Sequence, residues 1–248
     1  MNPPMPPPRP TREFPQVPWN FRDLLWAIAV AAMGIAVLNL TIVAAVNVLG
    51  LPLTGNGATL MIFAVLQDVI IVGAAWLFSL ARYPVGWGML GLRRFNGAMG
   101  CLMSAALFAL SYVVRIGYVV TVMAFGIKLK PQDILGRLDL QGWNLLLTLL
   151  VVGILAPVAE EIFFRGFLYA GLRKRLGVLG ALLISTLVFT SLHLSIDVFI
   201  PILVLGFCLA WLYEKTGSLW PGIILHASNN TLALVVLWLV QAAGISLP

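Results

Sequence analysis

The chain has 248 residues, of which 61% are hydrophobic and only 10% are charged, and its mean hydropathy is +1.01. A soluble domain has about 45–50% apolar and about 25% charged residues. This composition therefore excludes a water-soluble globule and predicts a polytopic membrane protein. The net charge of +6 comes largely from basic clusters at predicted helix ends, such as Arg93-Arg94 and Arg173-Lys174-Arg175, where such residues set membrane topology. We expect the lipid bilayer, and no nucleic acid, as a partner.

The Pro-rich residues 1–22 are predicted to form a disordered or extended tail. Apolar runs of about the length needed to cross a bilayer then follow at 24–50, 58–81, 97–127, 143–172, 178–196, 198–214 and 218–244. They predict an all-α membrane bundle of about seven to eight transmembrane helices, with N-terminal helices over 23–140 and a core over 141–245. Pro157 predicts a kink or break in the fourth run, and residues 83–96 are expected to lie at the membrane interface with Trp87 and the arginines at headgroup level.

Basic residues of the predicted loops fall mostly on one side of the bundle, the side of the N-terminus. The opposite side has only Lys128, Lys130 and Arg137. By the positive-inside rule the N-terminus is expected to be cytoplasmic, in an integral protein of the cell (plasma) membrane.

Few ionisable residues fall inside the predicted spans, where such residues usually face a protein interior or a water-filled cavity. A rise of about 1.5 Å per residue places several of them at overlapping depths, roughly 12–22 Å from the cytoplasmic ends of three different spans. The convergence predicts a polar site within the membrane. Its candidate residues are Glu160, Glu161, Arg165, His193, His226 and Asn230.

Helical spacing divides these residues further. Glu161 and Arg165 are four residues apart and share a helix face, which predicts an ion pair. Glu160 points about 100° away and is left as the candidate general base. His226 and Asn230 are also four residues apart and are expected to face one cavity. The Glu161–Arg165 pair could equally be purely structural.

Asp68 and Arg115 are the other ionisable residues within the spans. Each lies roughly 15–18 Å from the outer end of its predicted span. They are therefore predicted to form a structural ion pair on the outer side, away from the site.

Three motifs resemble the CPBP family of intramembrane proteases, which contains the CAAX prenyl endopeptidases and the Abi bacteriocin-immunity proteins. Residues 160–165 match its Glu-Glu-x-x-x-Arg motif, residues 189–193 its Phe-x-x-x-His motif and residues 226–230 its His-x-x-x-Asn motif. The resemblance covers about residues 140–235. It implies an intramembrane endopeptidase with its catalytic core in 141–245, acting on a membrane-associated peptide or protein.

The resemblance also implies roles for the motif residues. Glu160 would activate a water molecule, alone or with His193, for attack on a peptide carbonyl. His226 and Asn230 would stabilise the oxyanion. Glu161 and Arg165 would position Glu160.

The sequence leaves the cofactor and the function class open. Glu160, His193 and His226 could hold Zn2+ with an open coordination position, or they could polarise water without a metal. A non-catalytic immunity or scaffold protein would keep the same fold. A proton-coupled transporter would also place Glu and His residues in the membrane, but it would usually have internal repeats, and the sequence shows none.

Overall fold

The computed structural model describes residues 14–48, 50, 57–127, 138, 140–193, 195 and 197–244. All regular secondary structure within these ranges is helical, which confirms the predicted all-α bundle. Six helical segments in this part of the chain are long and apolar enough to cross a membrane: α1 (Phe21–Asn47), α2 (Gly57–Leu77), α3 (Gly97–Ala124), α4 (Gly142–Ser191), α5 (Phe199–Thr216) and α6 (Trp220–Ala242). Lys128, Lys130 and Arg137, used above to orient the chain, lie outside the described residues.

The segment α4 contains the fourth and fifth predicted spans, which are joined across a non-helical residue. A straight helix of 50 residues would measure about 75 Å, more than twice the thickness of a hydrocarbon core. The backbone is non-helical at Gly177, with φ 69° and ψ −176°, a conformation essentially restricted to glycine. The rings of Phe164 and Phe189 lie 5.2 Å apart. The second arm of α4 (178–191) therefore folds back onto the first arm (142–176).

The first arm is not a uniform α-helix. Val151–Leu155 and Glu161–Tyr169 are π-helical, while Ala156–Glu160 between them is α-helical. The backbone continues in helical conformation past Pro157, so, of the predicted kink or break, a break is wrong. The local departure is instead the wider π turn, a form often found at functional sites.

Every residue of the π-helical stretch Glu161–Tyr169 is buried. Three of its aromatic side chains pack against one another. The Phe163 ring packs edge to face on Phe164 and at a tilt on Phe167. The outer faces of α1, α2 and α3 instead expose many large apolar side chains. Exposed apolar side chains suit a helix bundle that contacts lipid with its outer helices.

Residues 14–20 are ordered and pack against one end of the bundle. The Trp19 side chain is fully buried, and its indole N–H donates to the Phe167 carbonyl at 3.0 Å. The Phe14 ring packs edge-on against Tyr169 and Tyr213. Residues 14–20 of the predicted tail are thus extended and packed against the bundle, and residues 21–22 already belong to α1. Residues 1–13 of the tail lie outside the described residues.

The connector between α2 and α3, residues 83–96 of the sequence analysis, is partly held by contacts with the rest of the protein. Leu90 is fully buried, and its carbonyl lies against Gly166, where a Cβ would clash. Arg93 Nε donates to the Gly217 carbonyl at 2.5 Å, and Ser218 Oγ donates to the Arg93 carbonyl at 2.7 Å. Arg93 therefore connects this segment to the turn between α5 and α6.

Candidate active site

A cavity of about 480 Å3 lies between α3, α4, α5 and α6. Its apolar walls come from all four helices. Four of the predicted site residues line it, namely Glu160, His193, His226 and Asn230. Three separate segments of chain thus deliver these side chains to one space, as their predicted depths indicated.

The other two predicted residues, Glu161 and Arg165, lie buried behind the cavity wall. Arg165 Nη1 is 2.8 Å from Glu161 Oε1, and both side chains are about 1% exposed. The guanidinium also donates to the Gly206 carbonyl at 3.2 Å and lies over the Phe189 ring, 4.3 Å from its centroid. The predicted ion pair is present, and a cation–π contact supplements it.

His226 lies between the two glutamates. Its Nδ1 is 3.1 Å from Glu161 Oε1, the oxygen that also accepts from Arg165. Glu161 pairs with Arg165 and is therefore the acceptor, so Nδ1 carries the hydrogen in this contact. The opposite nitrogen, Nε2, faces Glu160 Oε2 at 3.6 Å. The imidazole is thereby held with Nε2 directed toward the cavity.

Glu160 and Glu161 differ in exposure, although they are adjacent in sequence. The Glu160 side chain is 24% exposed, against 1% for Glu161. Glu160 Oε2 has no hydrogen-bond partner among the described residues. The helix therefore presents one carboxylate to the cavity and commits the other to Arg165 and His226.

His193 follows directly after the second arm of α4. Its Nδ1 donates to the Phe189 carbonyl at 3.0 Å, since a carbonyl can only accept. Its ring packs edge-on against the Phe189 ring, 4.9 Å between centroids. These two contacts leave Nε2 as the free nitrogen of a ring that lines the cavity.

Asn230 has a backbone contact that the sequence did not predict. Its Nδ2 donates to the Val152 carbonyl at 3.1 Å. In the π-helical register, the Ala156 N–H bonds to the Val151 carbonyl, so the partner of the Val152 carbonyl would be the backbone N–H of residue 157. Pro157 has none. The Asn230 side chain supplies the missing donor from a neighbouring helix, as commonly occurs at prolines in membrane helices.

Residues 142–232 match the family model described as type II CAAX prenyl endopeptidase Rce1-like. The chain is similar to this family over residues 142–232, and we refer to this segment as the Rce1-like domain. All six predicted site residues lie within it, and the resemblance that their motifs indicated is confirmed.

Two curated relatives match part of the chain. It is 30% identical over 113 residues to "Putative membrane peptidase YdiL" of Bacillus subtilis (strain 168), covering 45% of this chain and 46% of that protein. It is 30% identical over 100 residues to "UPF0177 protein YxdF" of Lactococcus lactis subsp. lactis (strain IL1403), covering 40% and 52%. The chain thus spans about half the length of these relatives. No solved structure matches it.

The cavity of the Rce1-like domain also contains polar residues that the sequence analysis missed or misplaced. Arg115, from α3, donates through Nη2 to Asn229 Oδ1 at 3.1 Å, and Asn229 donates in turn to Asn230 Oδ1 at 3.1 Å. Asp197 also lines the cavity. Arg115 had been expected outside the site, because its position along α3 indicates depth but not which helix it faces.

The predicted ion pair between Asp68 and Arg115 is wrong. Arg115 bonds to an amide instead, and the Asp68 carboxylate lies within electrostatic range of Glu160. Asp68 Oδ2 is buried without a hydrogen-bond partner among the described residues. Asp68 therefore faces the Rce1-like domain from α2, and its depth alone could not indicate this neighbour.

The three candidate zinc ligands, Glu160, His193 and His226, all line the cavity. Both imidazoles have Nδ1 engaged in a hydrogen bond, which leaves Nε2 as the nitrogen that could bind a metal, as in many metal-ligating histidines. However, in the part of the chain that the structure describes, no three His, Cys, Asp or Glu side chains lie close enough together to hold one ion. The arrangement of Glu160, His193 and His226 therefore does not fit a preformed three-ligand site.

Proposed function

We propose that this protein is an intramembrane endopeptidase in which Glu160 activates a water molecule for attack on a peptide carbonyl. The observation that carries the proposal is the pairing of a cavity-facing carboxylate with a clamped imidazole. Glu160 Oε2 and His226 Nε2 face each other at 3.6 Å, while Glu161 holds the far side of the imidazole at 3.1 Å. The Rce1-like match over 142–232 supports an endopeptidase.

The reaction requires two proton transfers, one from water to Glu160 and one from Glu160 to the leaving amine. Glu160 takes a proton from the attacking water, and the new bond forms between the water oxygen and the carbonyl carbon. The same carboxyl then gives its proton to the leaving amine as the C–N bond breaks. His193, whose Nε2 is free, can accept a hydrogen bond from the water and orient it.

His226 is suited to stabilise the oxyanion. With Nδ1–H directed at the carboxylate of Glu161, an added proton on Nε2 makes the ring an imidazolium next to a negative charge. Such a donor stabilises negative charge on the carbonyl oxygen in a water-poor site. Glu161 and Arg165 do not touch the cavity, and we assign them the role of holding His226 and the first arm of α4 in place.

A substrate held at the membrane suits this site, because its cavity lies among helices that span the bilayer by length and composition. We propose a membrane-associated peptide or protein as the substrate, including a lipidated peptide of the CAAX type. The cavity, at about 480 Å3, is in the range of small-molecule pockets. It would therefore accept a few residues around the scissile bond, not a folded domain.

The first test is cleavage of a quenched lipopeptide by purified protein in detergent micelles. Glu160→Gln should lower kcat by about 100-fold or more, since general base catalysis contributes typically 10²–10⁴-fold. The variant should unfold at the wild-type temperature, because Glu160 faces the cavity. Cleavage at the wild-type rate by Glu160→Gln would contradict the assignment of the base.

The zinc prediction is tested separately. Metal content is measured by mass spectrometry on protein purified without chelators, beside a His193→Ala/His226→Ala variant. Near-stoichiometric zinc that is lost in the variant would establish a metal site in the Rce1-like domain. Equal metal content in both proteins would contradict it.

A further inference from the structure

Arg115 is a cation on the cavity wall that the proposed reaction does not use. Its Nη2 donates to Asn229 Oδ1 at 3.1 Å, and its guanidinium carbon lies 4.9 Å from the centroid of the Tyr112 ring. Both partners are neutral. Glu160 and Asp197 line the same cavity, yet no carboxylate oxygen lies within 4.0 Å of the Arg115 nitrogens among the described residues.

The environment of Arg115 differs from that of Arg165, which is buried. Arg165 is neutralised by Glu161 at 2.8 Å, as charges within membrane helices usually are. Arg115 is always protonated, and its guanidinium has five N–H donors. Asn229 and Tyr112 hold the side chain in position, and among the described residues only one of the guanidinium nitrogens makes a hydrogen bond.

We propose that Arg115 binds a carboxylate of the substrate, so that it selects peptides with a negative charge close to the scissile bond. This inference rests on the proposed protease function. A guanidinium and a carboxylate form short, often bidentate, charge-assisted hydrogen bonds. The carboxylate could be the free C-terminus of the peptide or the side chain of an Asp or Glu residue.

The position of Arg115 indicates which substrate residue it would bind. Asn229 lies three residues after His226 on α6, about one helical turn further along, and Arg115 donates to the Asn229 side chain. An extended peptide advances about 3.3–3.6 Å per residue. A carboxylate at Arg115 would thus belong to a residue roughly two or three positions from the reacting carbonyl.

Arg115 lies outside residues 142–232, the segment that matches the Rce1-like model. The proposed carboxylate site is therefore shared between α3 and the Rce1-like domain. Selection of the substrate would depend on a helix from the N-terminal part of this chain.

The experiment measures binding without cleavage, using the Glu160→Gln protein in detergent micelles. The probe is a fluorescent S-farnesylated peptide with three residues after its cysteine. It is prepared as the free acid, as the C-terminal amide, and as an amide with Asp at the last position. We expect the acid to bind roughly 10- to 100-fold more tightly than the plain amide, the range for a hydrogen bond to a charged group.

Adding Arg115→Gln should remove the preference for the acid, and Arg115→Lys should retain part of it. The matched control is Arg94→Gln, which removes the charge of an exposed arginine and should keep the full preference. Tight binding of the Asp-containing amide would identify a side-chain carboxylate as a sufficient source. Weak binding of that amide would identify the C-terminal carboxylate as the group that Arg115 binds.

Equal binding of acid and amide would overturn the proposal, as would a preference that persists in Arg115→Gln, or no measurable binding of the acid. Because binding is measured on a Glu160→Gln background, these outcomes do not depend on hydrolysis. Failure of the protease proposal is recognised separately, as absence of cleavage of the same peptides by the unmodified protein.

Discussion

Two adjacent glutamates have opposite environments in this protein, and this contrast carries the proposed chemistry. Glu161 is buried and accepts from both Arg165 and His226 through a single oxygen, whereas Glu160 faces the cavity. A buried ion pair contributes little net stability, but removing one partner leaves an uncompensated charge. Glu161 is therefore expected to matter for folding and Glu160 for reaction.

This difference predicts that Glu161→Ala destabilises the protein by about 3–5 kcal/mol, because it leaves the buried Arg165 charge unpaired. The double variant Glu161→Ala/Arg165→Met should lose less than the sum of the two single variants, since it removes both charges. Unfolding in detergent, followed by tryptophan fluorescence, measures each free energy. Glu160→Ala is the matched control and should unfold like the wild type. Additive losses at Glu161 and Arg165 would contradict the pairing.

At the scale of the helix, the first arm of α4 depends on a side chain from α6. The Val152 carbonyl loses its backbone donor because residue 157 is a proline, and Asn230 Nδ2 replaces that donor at 3.1 Å. Asn230 thus has a structural contact in addition to the role in oxyanion stabilisation that its motif implies. A loss of activity in an Asn230 variant would therefore not by itself establish a catalytic role.

A double-mutant cycle separates the two effects. Asn230→Ala should cost about 1–3 kcal/mol of unfolding free energy, the usual cost of an unsatisfied buried group. In a Pro157→Ala background the restored backbone N–H can bond to the Val152 carbonyl, so the cost should fall by at least half. Pro221→Ala is the control background, because Pro221 lies in the first turn of α6, where no N–H is needed. The same Asn230→Ala cost in both backgrounds would contradict the contact.

At the scale of the whole molecule, the N-terminal segment fastens one end of the bundle. Trp19 donates to the carbonyl of Phe167, which lies two residues after Arg165 in the π-helical stretch. A Cβ on Gly171 would also meet the Trp19 indole at about 2.9 Å, so the close approach depends on that glycine. The segment before α1 therefore helps to support the backbone that holds the Glu161–Arg165 pair.

We expect Trp19→Ala to cost about 3–5 kcal/mol of unfolding free energy. Trp19→Phe should cost about 1–3 kcal/mol, because it keeps most of the ring but loses the hydrogen bond from the indole N–H to the Phe167 carbonyl. The control is Trp143→Ala, since Trp143 is 84% exposed and its loss should change stability by about 0.5 kcal/mol or less. Equal unfolding free energies for Trp19→Ala and Trp143→Ala would show that the segment is not anchored.

The sequence by itself determines the membrane class, most helix positions and the six motif residues. Apolar runs report length, and the spacing of residues within one helix reports a shared face, so the Glu161–Arg165 pair could be predicted. The Rce1-like motifs add three short patterns, each contained within a few consecutive residues. All of these are local features of the chain.

Only the tertiary structure decides which faces meet. The reversal of α4 at Gly177 requires a backbone conformation that glycine permits but does not specify. This reversal brings Phe189 into contact with Phe164. Arg115 bonds to Asn229 rather than to Asp68, and Asn230 donates to a carbonyl on α4. Neither contact could be predicted, because both join helices that are distant in sequence. Depth along a helix can be counted from the sequence, whereas the rotation of one helix toward another depends on packing of the whole bundle.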